Sequence, residues 1–187
     1  MSLTGRSVAI LCDFAFEDME VMYPKLRLEE EGVKIVVVGI HPAGMKYAGK
    51  YGYPIISHKC INDCSADEFA GLVIPGGFAP DYMRRNAAMR SFTTSMLEQG
   101  KPVAAICHGP WMLCSARRAA DNSPVAKGHT VTSFVAIKDD MLNAGAQWVD
   151  DAVVTSRVNN EVLITARTPN DLIPFCLTII DALRASS

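Results

Sequence analysis

Cys107 is the residue best placed to do chemistry. It follows a short apolar run, Val103 to Ile106, of the kind that forms a buried parallel strand. Gly109 and Pro110 punctuate the chain directly after it, and Met112, Leu113 and Ala116 continue at helical spacing. The residues two away on either side, Ala105 and Gly109, are small. Strand, sharp turn and helix with small-x-Cys-x-small is the pattern of a nucleophile elbow with Cys in place of Ser. A helix start just beyond the thiol is expected to favour the thiolate. A buried structural cysteine in a tight turn has the same local pattern.

Two other loops carry polar residues suited to a site. Asp13 to Asp18 holds Glu17, and Pro75 to Arg84 holds Gly76, Gly77 and Asp81. The N–H groups of Gly76, Gly77 and His108 are expected to form an oxyanion hole beside the Cys107 sulfur. His108 and Asp81 are a candidate base and the acid that orients it. Simpler assignments exist for each. Glu17 is also suited to a helix N-terminus, the glycines to a turn, and the His108 side chain can diverge from its neighbour's. Cys12 and Cys176 lie in apolar runs, and Cys60 and Cys64 lack a zinc or redox spacing even with His58 nearby. No metal site is expected, and His41 and His129 are expected in surface loops.

The elements that must position these residues alternate. Ser7–Cys12 reads as a strand, then a helix to about Glu31 with Met19, Met22 and Leu26, and Val21 and Leu28, on its inner face. Pro24 is expected near the helix start, or else as a kink. Val33–Ile40 and Gly71–Ile74 are further strands, with a Gly- and Pro-rich excursion at 41–59 between them and a short helical turn at 65–69. Ala87–Gln99 is a helix, 117–127 a polar loop, 131–134 a short strand, and 137–144 a helix closed by Gly145. Two strands, 153–157 and 162–166, flank Asn159-Asn160 as a hairpin. The last helix starts at Asp171 with Leu172, Phe175, Cys176, Ile179, Ile180 and Leu183 inward. This order predicts an α/β fold over residues 1–187 as one domain, with the three loops at the carboxyl ends of sheet strands, where ligands bind in such folds.

Composition narrows the function classes. A net charge of −2 gives no electrostatic case for nucleic acid or anionic membrane. No apolar run reaches the ~20 residues needed to span a bilayer. The first dozen residues lack the apolar core of a signal peptide. Six cysteines, most of them in apolar runs, suit reduced thiols in a cytoplasmic protein better than a disulfide framework.

Four stretches together, AICHGPW at Ala105–Trp111, FEDMEVMYP at Phe16–Pro24, VIPGGFAPD at Val73–Asp81 and IKDDMLNAGAQWVDD at Ile137–Asp151, resemble the PfpI family. That family lies within the superfamily that also holds the class I glutamine amidotransferase domains. The resemblance covers nearly the whole chain. It implies a flavodoxin-like three-layer sandwich with a mostly parallel central sheet. By position it makes Cys107 the nucleophile, His108 its histidine and Glu17 the acid contacting the thiol. It sets Asp81 where the family has a glutamate supplied by the neighbouring subunit. Asp81 is one methylene shorter than that glutamate, Phe78 replaces a common Arg, and the 117–127 segment is longer and more polar than usual.

The resemblance implies a cofactor-free cysteine enzyme attacking a carbonyl or amide carbon, as intracellular peptidase, glyoxalase or deglycase. The substrate is then a small aldehyde, a glycated adduct or a peptide. The alternative is an oxidation-sensing stress protein or chaperone with Cys107 as the sensor. A homodimer or higher homo-oligomer is expected through the Pro75–Arg84 loop, because His108 needs a carboxylate and Phe78, Pro80, Tyr82 and Met83 make an apolar cluster there.

Overall fold

In a computed structural model describing residues 2–186, seven strands form one central sheet. They are β1 (Ser7–Leu11), β2 (Lys34–Gly39), β5 (Lys59–Cys60), β6 (Gly71–Ile74), β7 (Pro102–Ile106), β10 (Val153–Val158) and β11 (Glu161–Ala166). Across the sheet they lie in the order β10-β11-β7-β6-β1-β2-β5. All neighbours pair in parallel except β10 with β11, the expected hairpin, in which Val158 faces Glu161 across Asn159-Asn160. Asn159 turns the corner with φ +53°, a left-handed conformation that Asn tolerates. The excursion at 41–59 is an antiparallel hairpin of β3 (Lys46–Ala48) and β4 (Pro54–Ile56). A two-stranded ladder of β8 (Thr130–Val131) and β9 (Gln147–Trp148) stands apart from the main sheet.

The inner strands are apolar throughout because helices cover both faces. Helix α1 (Asp18–Glu30) packs with α6 (Leu172–Ala185), while α2 (Ala79–Met83) and α3 (Ala87–Glu98) each pack with α4 (Trp111–Ser115). The short helix α5 (Lys138–Asn143) packs against α4. All six residues expected on the inner face of the last helix are buried. From β1 the chain steps outward to β2 and β5, then returns to β6 and steps outward the other way. The direction reverses between β1 and β6, so the crevice above their carboxyl ends is the ligand position of this topology.

The structure changes three sequence expectations. The inner face of α1 carries Glu20, Val21, Pro24 and Leu28, whereas Met19 and Leu26 are over half exposed. Apolar residues lie all round this helix, and the packing of α6 and the sheet selects its phase. Pro24 sits inside α1 rather than near its start, so the Glu20 carbonyl lacks its i+4 donor. His129 is fully buried rather than in a surface loop. Its Nδ1 lies 3.0 Å from Ser156 Oγ and its Nε2 2.9 Å from Glu161 Oε2, and Arg118 pairs with the same carboxylate. That charge network ties the polar 117–127 segment to the β10–β11 hairpin. His41 is exposed, as expected.

Candidate active site

Cys107 follows β7 with φ +62°, which costs a non-glycine residue about 1–2 kcal/mol. Both of its backbone groups are held. Its N–H donates to the Ala166 carbonyl at 3.0 Å, and its carbonyl accepts from the Phe134 N–H at 2.9 Å. Gly109 has to be small: a Cβ there would lie 2.4 Å from the Ile74 carbonyl oxygen and 2.8 Å from that of Ile106. The elbow expected from the spacing is therefore present, with its crowding and its strain.

The expected stabilisation of thiolate by the following helix is absent. Helix α4 has five residues, too few for a substantial macrodipole. Cys107 is 9% exposed. Burial, then the charge of Glu20, push its thiol up to about 12, while the N–H groups of His108 and Gly77 oppose the rise.

Glu20, rather than Glu17, is the carboxyl at the thiol. Its side chain is fully buried and its Oε2 accepts the Gly76 N–H at 2.7 Å. Gly76 marks the convergence: a Cβ there would meet Glu20 Oε2 at 2.7 Å, Cys107 Cβ at 2.8 Å and the His108 nitrogen at 2.9 Å. Burial is the main cause that pushes Glu20 up to about 8, with the Glu17 charge adding to it and the Gly76 N–H and Cys107 opposing. Glu20 is therefore mostly protonated at neutral pH beside a thiol that is also protonated. Glu17 occupies the N-cap of α1 and lies 3.6 Å from Lys50 Nζ. The residue that a sequence reading passes over had a signal. Glu20, Pro24 and Leu28 recur every four residues, so a charge is in phase with a buried face.

The N–H groups divide differently from the expected oxyanion hole. Gly77 and His108 direct theirs at the Cys107 sulfur, but that of Gly76 is taken by Glu20. The first loop is zipped to the second by a bridge between Phe16 and Gly77 and by the Phe78 N–H donating to the Ala15 carbonyl at 2.8 Å.

His108 turns back toward its neighbour, with Nδ1 3.3 Å from Cys107 Sγ. Its ring stacks on Phe134 at 4.9 Å and meets the edge of Trp111 at 5.2 Å. Burial and then the Lys50 charge lower its pKa, so it is the neutral imidazole that faces the sulfur. No carboxylate hydrogen-bonds it among the described residues. Asp81 lies on α2, half-buried, paired with Arg85 on its own helix and absent from the Cys107 pocket. Within one chain the structure thus brings Cys107, His108, Gly77 and Glu17 to one pocket, with Glu20 rather than Glu17 at the thiol, and leaves Asp81 outside. In the apolar cluster, Pro80 and Met83 are buried, while Phe78 and Tyr82 stay exposed.

These groups open into a pocket of about 330 Å³, walled also by Glu17, Lys50, Tyr51, Phe78, Trp111, Thr168 and Pro169. Lys50 reaches it from the tip of the β3–β4 hairpin. Asp18 fixes that tip by accepting the Tyr51 and Tyr53 N–H groups at 2.9 Å each. All six cysteines are free thiols. Among the described residues no group of His, Cys, Asp and Glu is arranged to hold a metal ion, and no helix is long and apolar enough to cross a membrane.

A strained cysteine elbow at the switch point of a mostly parallel sheet, with a buried glutamate and a histidine at the thiol, defines a class of α/β proteins with a cysteine site. Within that class, this chain belongs to the DJ-1/PfpI family, whose model matches residues 6–182. It is 40% identical over 177 residues to a protein named as a deglycase from Thermococcus kodakarensis, covering 95% of this chain and 99% of that one. It is 37% identical over 169 residues to Deglycase PfpI of Pyrococcus furiosus, covering 90% and 94%. Among solved structures, a two-domain protein from Anabaena variabilis with DJ-1/ThiJ/PfpI-like and ferritin-like domains superposes with a TM-score of 0.87 at 40% identity. That superposition covers 96% of this chain and 48% of the other, so the present chain spans about half of that protein.

Proposed function

We propose that the chain is a cysteine-dependent enzyme of the deglycase or glyoxalase type, with Cys107 attacking the aldehyde carbon of a 2-oxoaldehyde or its amine adduct. The observation that carries this is the thiol on a strained elbow with a neutral imidazole nitrogen 3.3 Å away and a protonated Glu20 in the same pocket. The names of the relatives from Thermococcus and Pyrococcus support the same class.

The thiol adds across the carbonyl. The S–C bond forms, the carbonyl electron pair moves to oxygen, and the proton leaving sulfur goes to that oxygen, with Glu20 as donor and acceptor. The Gly77 and His108 N–H groups hold the developing charge. For a free 2-oxoaldehyde the product is a hemithioacetal; for its aminocarbinol adduct the S–C bond replaces the C–N bond, the proton from sulfur leaves on the amine, and the same hemithioacetal results. His108 Nδ1 takes the proton from its carbon and returns it to the neighbouring one while the hydroxyl proton passes from the first oxygen to the second, which oxidises the first carbon to a thioester as it reduces the second to an alcohol. Water then hydrolyses the thioester to a 2-hydroxy acid and frees the thiol. No external oxidant or reductant enters. The oxidation-sensor reading draws less support, since oxidation follows thiolate character and both burial and Glu20 keep Cys107 protonated.

We extend the proposal to assembly: a homodimer in which Asp81 of one chain serves His108 of the other, since each lacks that partner within its own chain. The deciding experiment is turnover of methylglyoxal, and release of amines from their methylglyoxal adducts, by the natural chain and by Cys107→Ser. Production of 2-hydroxy acid that Cys107→Ser abolishes is expected. Unchanged turnover in Cys107→Ser refutes the nucleophile.

A further inference from the structure

A second cleft, of about 520 Å³, shares no lining residue with the Cys107 pocket. Arg84, Arg117 and Lys127 line it, with Asp140 the only carboxylate of the lining among the described residues and Cys114 and Ser123 among its other walls. The polar 117–127 segment, set apart by sequence and unused by the proposed reaction, builds much of this wall.

The guanidinium of Arg84 is fixed in advance. Its Nε donates to Ser115 Oγ at 2.8 Å, and its plane lies over Trp111, 5.4 Å from the ring centroid. Its two terminal nitrogens have no hydrogen-bond partner among the described residues. Arg84 and Arg117 both act on the Cys114 thiol between them. Neither Arg117 nor Lys127 forms an ion pair among the described residues. This is unlike most cations of this chain, which sit against carboxylates or carbonyls. The opposing charges are few. Asp140 accepts the Trp111 Nε1–H at 3.0 Å, and Asp121, held by Ser123, acts on Lys127 from outside the cleft.

Three convergent cations against one hydrogen-bonded carboxylate repel one another unless an anion joins them. A carboxylate ligand would satisfy one guanidinium. A phosphoryl dianion, with three oxygens, matches a pre-set arginine fork plus two further cations. The cleft is also larger than a bare phosphate requires. We infer that this cleft binds the phosphoryl group of a small molecule, with Arg84 as the fixed anchor and Arg117 and Lys127 closing on the remaining oxygens. The inference is independent of the reaction proposed at Cys107.

The test is calorimetric titration of the natural chain with inorganic phosphate and with ribose 5-phosphate, against sodium chloride at matched ionic strength. Trp111 fluorescence in Trp148→Phe is the second readout, because Arg84 lies on that indole. Saturable binding is expected, weakened by about tenfold or more in Arg84→Gln and in Arg117→Ser/Lys127→Ser. Tighter binding of ribose 5-phosphate identifies an ester as the ligand, and binding of phosphate alone identifies the free ion. Either result supports the site. Cys107→Ser should bind as the natural chain does. Absence of saturable binding, equal affinity in the charge-removed variants, or loss of binding in Cys107→Ser overturns the assignment.

Discussion

Glu20→Gln tests the electrostatics of the site directly. The carboxyl titrates near 4.5 in an open chain and at about 8 in the fold, chiefly because it is buried. A raised folded value means that the unfolded chain gives up its proton first. Stability is then complete below pH 4.5 and falls as pH rises through 8. At about 1.4 kcal/mol for each factor of ten, the full loss is about 5 kcal/mol. Between pH 5 and pH 8 the natural chain should lose roughly 3.5 kcal/mol that the Glu20→Gln variant, having no charge to bury, does not lose. The glutamine amide also keeps an oxygen for the Gly76 N–H, so the variant's fold should survive. Urea unfolding of both chains at the two pH values reads this out as a relative midpoint shift of about 1 M or more. Parallel pH profiles for the natural chain and for Glu20→Gln would refute the claim that the site holds a protonated carboxyl.

Removing the Glu20 charge should also lower the pH at which Cys107 is alkylated by iodoacetamide, whereas Glu17→Gln, which alters a residue paired with Lys50, should shift that midpoint far less; equal shifts would return the acid role to Glu17. Glu20→Gln should retain more turnover than Glu20→Ala because it keeps a donor, and equal loss in steady-state rates counts against that role. Light scattering should show at least twice the 20.3 kDa chain mass. Mixing inactive Cys107→Ser with inactive Asp81→Ala should restore activity, and an active monomer removes the shared-site proposal. His129→Leu should destabilise the chain by about 2–4 kcal/mol, because it breaks a buried charged network, while iodoacetamide labelling of Cys107 stays unchanged.

Much of this protein was legible in local sequence. The elbow could be read because its determinants lie close together in the chain: an apolar strand, small residues at 105 and 109, and a helix start. The Asn159-Asn160 hairpin and the inner face of α6 were legible for the same reason, since turn chemistry and a strong helical period are short-range properties. The order of strands and helices implied an α/β sheet, and with it the position of the loops after β1, β6 and β7 at the carboxyl ends of their strands.

What tertiary structure decided was which side chains those loops and helices turn inward. Glu17 and Glu20 are three residues apart at the start of one helix; the four-residue recurrence of Glu20, Pro24 and Leu28 marks Glu20 as in phase with one face, but local sequence does not say that this face is the one turned to the thiol. The packing of α1 on the sheet and α6 sets its rotation, burying Glu20 and leaving Glu17 to Lys50. Burial then raises both the thiol and the carboxyl, reversing the thiolate expected from a helix dipole, because desolvation acts through everything packed around a group and a five-residue helix contributes little. His129 is held in the interior by Ser156 and Glu161, which lie 27 and 32 residues away in sequence, so its burial has no local signature. The Arg84, Arg117 and Lys127 cleft exists only because three separate segments, at Arg84, 114–127 and 140–145, meet in space. Spacing along the chain specifies the turn that carries the cysteine; long-range packing specifies its protonation and its neighbours.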